Sequence, residues 1–210
     1  METTGKNYEW FDAVMNDDVI TVMELAKQFD VDCVDEHGHT ALMLAAYHKK
    51  VNVLNVLLAS GVDVNNRDNK GFTAICMICK DYETYKDAIS LLLDSGADVN
   101  IPNGIGFTPL MYAVKQKSLI LMVKLIYHGA DIDLTTKSGH TALDVNAYGN
   151  SNGCEPLTKL FTDNIVQEAI LRTNPDNLRS LNQKVGLNDY IKDKYDGLWQ
   201  VYMESIEIGI

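Results

Sequence analysis

The sequence predicts an all-α solenoid in which short helix–turn–helix units stack on one another and end in a helical cap. The pentapeptides GHTAL, GFTAI, GFTPL and GHTAL recur at intervals of 33, 35 and 33 residues. Two apolar stretches with helical spacing follow each of them, and in the first three of these units a glycine comes after the second stretch. A fixed period of this length is the signature of stacked repeats.

Each unit is predicted to contain two short helices. In unit two the first helix carries small residues, such as Ala45 and Ala46, which let the helix of the next unit approach closely. The second helix is strongly apolar and ends at Gly61, where a left-handed cap is expected; Gly96 and Gly129 are the equivalent glycines. An extended segment then leads to the next turn, and the turns, which are β-turn loops, project away from the helices.

The repeat predicts an array over residues 1–163, followed by an extension over residues 164–210. A charged, degenerate capping unit at 4–34 precedes units at about 35–67, 68–102, 103–135 and 136–163. Unit three has two extra residues in the segment KDYETYKDA, which the pattern places between its helices, and unit five carries the Gly/Asn-rich turn YGNSNGCEP. Both insertions are expected on one edge of the array.

The extension keeps an apolar helical pattern without the repeat. A helical cap packed on the last repeat is the favoured interpretation, because an array must cover its terminal apolar face. The alternative is a second contact for a partner, since aromatic residues are enriched at interface hot spots. The aromatic residues concerned are Tyr190, Tyr195, Trp199 and Tyr202.

The pentapeptides and their period resemble the ankyrin repeat, over about residues 4–163 and in five units. The resemblance implies that the threonine of Gly-x-Thr begins the first helix and hydrogen-bonds locally. The matching residues are Thr40, Thr73, Thr108 and Thr141. The histidine usual in the family's signature is replaced, so its polar contact is not expected here. The replacing residues are Met43, Cys76, Met111 and Asp144.

Composition and charge disfavour several function classes. The chain has 18 Lys+Arg against 29 Asp+Glu and a formal net charge of -11, which disfavours nucleic-acid binding and favours a basic partner. It has no leader pattern and no run of about 18 apolar residues, so neither secretion nor a membrane span is expected. The default expectation is a cytoplasmic protein, monomeric in isolation.

The cysteines do not predict a disulfide framework or a metal centre. Cys33, Cys76, Cys79 and Cys154 are too scattered for disulfides. Cys76 and Cys79 form a single Cys-x-x-Cys without the second pair that would indicate zinc. Because Cys79 aligns with the small residue Ala46, buried packing is favoured over metal or redox chemistry.

No catalytic constellation and no cofactor motif is found. Asp35, His37 and His39 lie in one turn, where solvation or a partner contact is favoured over metal binding, because ligands must converge. Acidic pairs such as Asp30 and Asp32 are interpreted as solvated charge rather than as a general acid and base. An enzyme with its chemistry in residues 164–210 is the less favoured alternative.

The resemblance implies a non-catalytic protein–protein interaction module whose surface comes from the turn tips and the ends of the first helices. It would bind or neutralise a basic protein, as an inhibitor or toxin-immunity protein does; the alternative is an adaptor or effector that recruits a host protein. Phe72 and Phe107 are expected either to be exposed as an anchor or to pack against the neighbouring turn. The predicted partner-binding residues are Glu36, His37, His39, Tyr47, His48, Asn69, Lys70, Phe72, Lys80, Asp81, Ile105, Phe107, Lys115, Gln116, Lys137, Ser138, His140 and Tyr148.

Overall fold

A computed structural model describes residues 2–28, 30–116, 118, 121–122, 124–125 and 128–147. The predictions for Tyr148, Cys154, the turn of unit five and the extension with its four aromatic residues lie outside the described residues. No strand occurs in the described part of the chain, and its only bridge joins Val34 to Thr40. The all-α class is therefore confirmed.

The helices follow one another as stacked pairs. The helices with described bounds are α1 (Glu2–Met15), α2 (Val19–Leu25), α3 (Ala41–Tyr47), α4 (Val51–Ala59), α5 (Ala74–Ile78), α6 (Tyr82–Asp94), α7 (Pro109–Lys115) and α8 (Ala142–Ala147). In the second helix of unit four, the described residues Leu121, Met122 and Leu125 are buried. Within the described residues no helix is both long enough and apolar enough to cross a membrane.

Threonine begins the first helix of each unit, but in two different ways. The Thr40, Thr73 and Thr108 hydroxyl oxygens accept the backbone N–H three residues ahead, at 3.3, 3.3 and 3.4 Å, as N-caps do. In unit five, Asp144 Oδ2 instead accepts the Thr141 N–H at 2.8 Å and its O–H at 2.7 Å. Asp144, which replaces the family's histidine, therefore supplies a capping bond of its own.

The core is one continuous layer between the stacked helices. The first helices place small residues at the contact with the next unit, and Ala45, Ala46, Cys79 and Ala113 are fully buried there. Large side chains fill the space around them, including the fully buried Leu42, Leu54, Leu57, Ile75, Ile89 and Leu92. Burying a Leu or Ile side chain stabilises the fold by about 1.5–3 kcal/mol, so this layer holds the units together.

The two extra residues of unit three lengthen α6 instead of the connection before it. The helix α6 has 13 residues, against nine in α4, and α5 has five, against seven in α3, whereas the inter-helix segment is as short at 79–81 as at 48–50. The insertion thus accounts for two of the added residues of α6, and the earlier end of α5 accounts for the other two. Asp81 begins the helix early, because its Oδ1 accepts the Thr84 N–H at 3.2 Å, and Tyr82 in the first turn is buried. The prediction that the insertion lies between the helices is wrong.

The capping unit buries its inner side and keeps apolar residues on its outer side. Trp10 is fully buried against unit two, and the Asp17 carboxylate accepts hydrogen bonds from Asn52 Nδ2 at 3.1 Å and from the Val53 N–H at 3.3 Å. The cap therefore joins the array through both apolar and polar contacts. Its exposed surface is less polar than expected, since it carries Tyr8, Met15, Ile20 and Met23.

Candidate functional site

Each turn tip is held in one shape by a polar side chain at its base. Asp35, Asp68 and Asn103 each use one side-chain oxygen to accept two backbone N–H groups, two and four residues ahead, at 2.7–3.1 Å. In unit five the Thr136 hydroxyl accepts the His140 N–H at 3.2 Å. The tips therefore repeat one backbone geometry while the side chains at their ends differ.

Neighbouring tips are joined by one backbone hydrogen bond at each junction, which places them in a single row. We call this row, with the ends of the first helices beside it, the turn row. The bonds run from Asn69 N–H to His37 O (3.1 Å), from Gly104 N–H to Lys70 O (2.8 Å) and from Lys137 N–H to Ile105 O (3.2 Å).

The glycine of Gly-x-Thr is required by both backbone conformation and space. Gly106 has φ +87°, and a Cβ added there would lie 2.6 Å from the Lys137 nitrogen and 2.8 Å from Thr136 Cα. Gly96, at the end of a second helix, has a similar φ of +83°, but no atom of the described residues lies within 4 Å of an added Cβ. The tips therefore approach each other more closely than a side chain allows.

A second set of polar contacts joins the units where the second helices end. The side-chain oxygens of Asp32, Asn65 and Asn100 accept the backbone N–H of an aspartate that lies two residues before the equivalent position in the next unit. The pairs are Asp32 with Asp63 (3.0 Å), Asn65 with Asp98 (2.8 Å) and Asn100 with Asp131 (2.7 Å). We call each of these contacts a rung. Asp32, interpreted from the sequence as solvated charge, therefore also joins the capping unit to unit two. The recurrence of Asp-x-Asn/Asp in the sequence could have indicated the rungs.

His39 lies between two carboxylates of adjacent units. Its Nδ1 is 3.0 Å from Asp35 Oδ2 and its Nε2 is 3.7 Å from Asp68 Oδ2. Burial alone would raise the pKa of Asp35, but hydrogen bonds from the His39 and His37 backbone N–H groups and from the His39 ring hold it below its usual value. Among the described residues, no group of three His, Cys, Asp or Glu side chains is placed to hold a metal ion.

Phe72 and Phe107 are half-buried and are linked through Tyr112, which sequence reasoning missed. The Tyr112 ring centroid is 6.5 Å from that of Phe72 and 5.3 Å from that of Phe107. The Tyr112 hydroxyl accepts a hydrogen bond from Asn103 Nδ2 at 2.9 Å, and burial raises its pKa. Lys80 Nζ lies 4.2 Å from the Phe72 centroid. We call Phe72, Phe107 and Tyr112 the aromatic cluster.

The ends of the first helices differ from unit to unit. Tyr47 is exposed and stacks on Tyr85 with a centroid distance of 6.1 Å. Gln116 was predicted to face a partner, but its amide is engaged by unit three instead. Gln116 Oε1 accepts the Tyr82 N–H at 3.2 Å, and its Nε2 donates to the Cys79 carbonyl. Gln116 therefore joins two units and is not a free surface residue.

Cys76 and Cys79 of unit three are buried and contribute to packing. The Cys76 thiol donates a weak hydrogen bond to the Phe107 carbonyl at 3.6 Å, and Cys79 is fully buried. Burial raises the pKa of Cys76 to about 12 and that of Cys79 well above its usual value. Burial, with the Asp30 and Asp32 carboxylates, also raises the pKa of the Cys33 thiol, to about 11. None of the three is an activated nucleophile at neutral pH.

The predicted partner-binding residues fall into two groups by exposure, and partner binding itself stays a prediction. The exposed ones are Glu36, His37, Tyr47, His48, Asn69, Lys70, Lys80, Asp81, Ile105, Lys115, Lys137 and Ser138. The half-buried ones are His39, Phe72, Phe107, Gln116 and His140.

The repeated part of the chain is similar to known protein families and to individual proteins. A model of ankyrin repeats in three copies matches residues 10–103, and a model of ankyrin repeats in many copies matches residues 92–145. The B-cell lymphoma 3 protein homolog of Mus musculus is 35% identical over 114 residues, which are 52% of this chain and 25% of that protein.

Two further relatives match shorter stretches. Ankyrin repeat and MYND domain-containing protein 1 of Mus musculus is 29% identical over 82 residues, 39% of this chain and 8% of that protein. Ankyrin repeat protein 14 of Vaccinia virus (strain Western Reserve) is 40% identical over 48 residues, 23% of this chain and 20% of that protein. The matches thus span a quarter or less of these relatives.

Proposed function

The chain belongs to the ankyrin-repeat family, whose repeats are protein–protein interaction modules, and on that premise we propose that it is a non-catalytic protein that binds a protein partner through its turn row. The observation that carries the proposal is the pairing of a fixed backbone with varied, exposed side chains. At successive tips the exposed residues are Glu36 and His37, Asn69 and Lys70, Ile105, and Lys137 and Ser138.

The turn row is organised in advance for binding. Each tip is closed by its own side-chain acceptor and bonded to the next tip, so little conformational freedom is left to lose when a partner docks. Ile105 is 61% exposed and lies near the centre of the row. An apolar residue at the centre of an interface contributes most to affinity once the partner covers it. A surface of this kind recognises shape and charge without carrying out a reaction.

Our first proposal for its role is inhibition, in which the array covers a functional surface of the partner and so neutralises it. A basic partner, as for an immunity protein against a basic toxin, is the expectation from the net charge of -11. Net charge acts at long range, whereas the side chains that touch the partner decide which segment is bound.

An adaptor that recruits a host protein is the second proposal, and the capping unit favours it. An adaptor needs two contact surfaces, and the exposed Tyr8, Ile20 and Met23 offer apolar area on the first two helices, which are not part of the turn row. Apolar residues exposed on one helix pair are typical of interaction sites when they are contiguous.

Two matched variants separate these proposals. Ile105→Asp changes the turn row and Ile20→Asp changes the cap; the two residues are 61% and 71% exposed, so both variants should fold. Tagged full-length protein is cross-linked in its native source, and the retained proteins are identified by mass spectrometry. Loss of a partner from Ile105→Asp alone supports a single-surface inhibitor, provided that the purified chain lowers that partner's activity at a 1:1 ratio.

Loss of a different partner from each variant supports an adaptor. If Ile105→Asp retains every protein that the unchanged chain retains, the turn row is not the binding surface and the proposal fails.

A further inference from the structure

The charges of this acidic protein are not evenly spread, and the turn row of units three to five is locally cationic. Its exposed lysines are Lys70, Lys80, Lys115 and Lys137. Within the part of the chain that the structure describes, none of their ammonium groups lies within 4.0 Å of a carboxylate. We call these four residues the lysine face.

The lysine face is fixed in place by the fold. The Lys70 carbonyl accepts the Gly104 N–H and the Lys137 N–H donates to the Ile105 carbonyl, so these residues follow one another along the row. Lys80 Nζ lies 4.2 Å from the Phe72 centroid and 5.8 Å from the Tyr112 centroid. Cation–π attraction thus holds the Lys80 ammonium over these two rings, and its charge is available to pair with a carboxylate of a partner.

The acidic groups beside this face either accept hydrogen bonds or lie at its end. Asp68, at the base of the unit-three tip, is buried and accepts the Lys70 and Phe72 N–H groups at 2.9 and 2.7 Å. Asp81 caps α6, and hydrogen bonds from the Thr84 hydroxyl and N–H lower its pKa. Glu36 lies in the tip of unit two, beside His37 at 3.7 Å. The Asp63 and Asp98 carboxylates lie at the rungs, where each accepts a backbone N–H of its own turn. The net charge therefore misrepresents the charge that a docked partner would meet.

We propose, resting on the proposed function, that the lysine face binds an acidic segment of a protein partner. Carboxylates of that segment pair with the exposed lysines, and an apolar side chain packs on Ile105 and the aromatic cluster. A nucleic acid is the less favoured polyanion, because an extended phosphate chain would also meet the acidic remainder of the protein. A short acidic segment contacts the cationic face alone.

The experiment selects ligands without assuming the partner. Random dodecapeptides displayed on phage are selected on the full-length protein, and enriched peptides are measured by fluorescence anisotropy. The test variant is Lys70→Glu/Lys80→Glu. The control is Lys27→Glu/Lys86→Glu, which changes two exposed lysines outside the lysine face and lowers the net charge by the same four units. Circular dichroism checks that both variants are folded.

We expect the selected peptides to be rich in Asp and Glu. Their affinity should fall by about tenfold or more in the test variant, stay within about twofold in the control, and weaken as NaCl is raised from about 0.05 to 0.5 M. If the selected peptides depend on Lys70 and Lys80 but are basic or purely apolar, the proposal of an acidic partner is wrong, and the lysine face is a binding surface for a different kind of segment.

Two other outcomes also overturn the inference. If selection gives no peptide, or only peptides that bind both variants equally, the lysine face is not a peptide-binding surface. If a labelled oligothymidine binds the unchanged protein more tightly than the selected peptides and is lost in the test variant, the face recognises phosphates instead.

Discussion

Replacing Gly106 by alanine tests how closely neighbouring turn tips are packed. The matched change is Gly96→Ala, because the two glycines have nearly the same backbone conformation, with φ +87° and +83°. They differ in surroundings: an added methyl at Gly106 meets backbone atoms of the next tip, whereas at Gly96 it meets no atom of the structurally described residues within 4 Å. The difference between the two variants therefore isolates the contact between units.

The expected magnitudes follow from these distances. An L-residue in the left-handed region costs about 1–2 kcal/mol, and both variants lose this much stability. At Gly106 the methyl would also lie 2.6 Å from the Lys137 nitrogen and 2.8 Å from Thr136 Cα. Because both atoms belong to the backbone, the tip must shift, and overpacking of this kind costs a further 1–3 kcal/mol or so. We expect about 2–5 kcal/mol for Gly106→Ala and about 1–2 kcal/mol for Gly96→Ala.

The assay is urea unfolding of the full-length variants, followed by far-ultraviolet circular dichroism at 25 °C. The free energy of unfolding comes from linear extrapolation, and equal slopes show that the two variants expose the same surface. Equal losses for Gly106→Ala and Gly96→Ala would refute the reasoning, because the tips would then have room for a methyl group and their row would not be rigid.

Three further predictions follow from the polar contacts and the thiols. Asn100→Ala removes a rung together with the bond from Asn100 Nδ2 to the Gly129 carbonyl, both of which join two units, and should lower the free energy of unfolding by about 1–3 kcal/mol in urea. Asn55→Ala removes an amide bond to the Val51 carbonyl within α4 and should cost well under about 1 kcal/mol; similar losses would contradict the role of the contacts between units. Because the Asp35 pKa is lowered in the fold, its stabilisation is present above the usual Asp pKa of about 4 and is lost as the pH falls through the lowered value. Asp35→Asn should therefore flatten the fall in stability between about pH 5 and pH 2 in acid titrations, and an unchanged profile would count against this linkage. Cys76 and Cys79 should resist iodoacetamide at pH 8 in the native protein and react after unfolding in urea, as peptide mass spectrometry can show; rapid native labelling would mean that they are not buried.

The local features of each unit were predictable because their signals lie within a few residues. A threonine before an apolar helix and a glycine after one act on the nearest turn of backbone, and Thr40, Thr108 and Gly61 behave as predicted. The period then indicated which residues stack. The buried position of Cys79, inferred from its alignment with Ala46, is confirmed for the same reason.

The contacts between units were harder to foresee, since they join side chains more than 30 residues apart. Gln116 reaches Tyr82 and Cys79 across 34 and 37 residues, and the extra residues of unit three shift that spacing away from the simple period. Whether a glutamine side chain at the end of a helix faces solvent or the neighbouring unit depends on its rotamer and on nearby backbone groups that need a hydrogen-bond partner. The repeat pattern specifies neither. Tyr112 was missed for a similar reason, because its ring fills a gap that exists only when two tips are in place.

The lysine face shows the limit of composition as a guide. A formal net charge of -11 suggested a basic partner, yet Lys70, Lys80, Lys115 and Lys137 share one side of the molecule. Composition sums charges without regard to position, whereas recognition depends on the charges that come within a few ångströms of the partner.

The bonds between turn tips and the rungs recur with the same chemistry along the array, and this has a consequence for how such a gene can change. Duplication of a whole unit of about 33 residues would insert a copy whose two ends already match their new neighbours. Gain or loss of a few residues within a tip would instead displace the hydrogen bonds on both sides. Unit three shows where small changes in length are tolerated, since its two extra residues extend the start of α6 and leave the tips in register. Recombination can therefore lengthen the array in whole units, while new binding surfaces arise by point substitution at the tips.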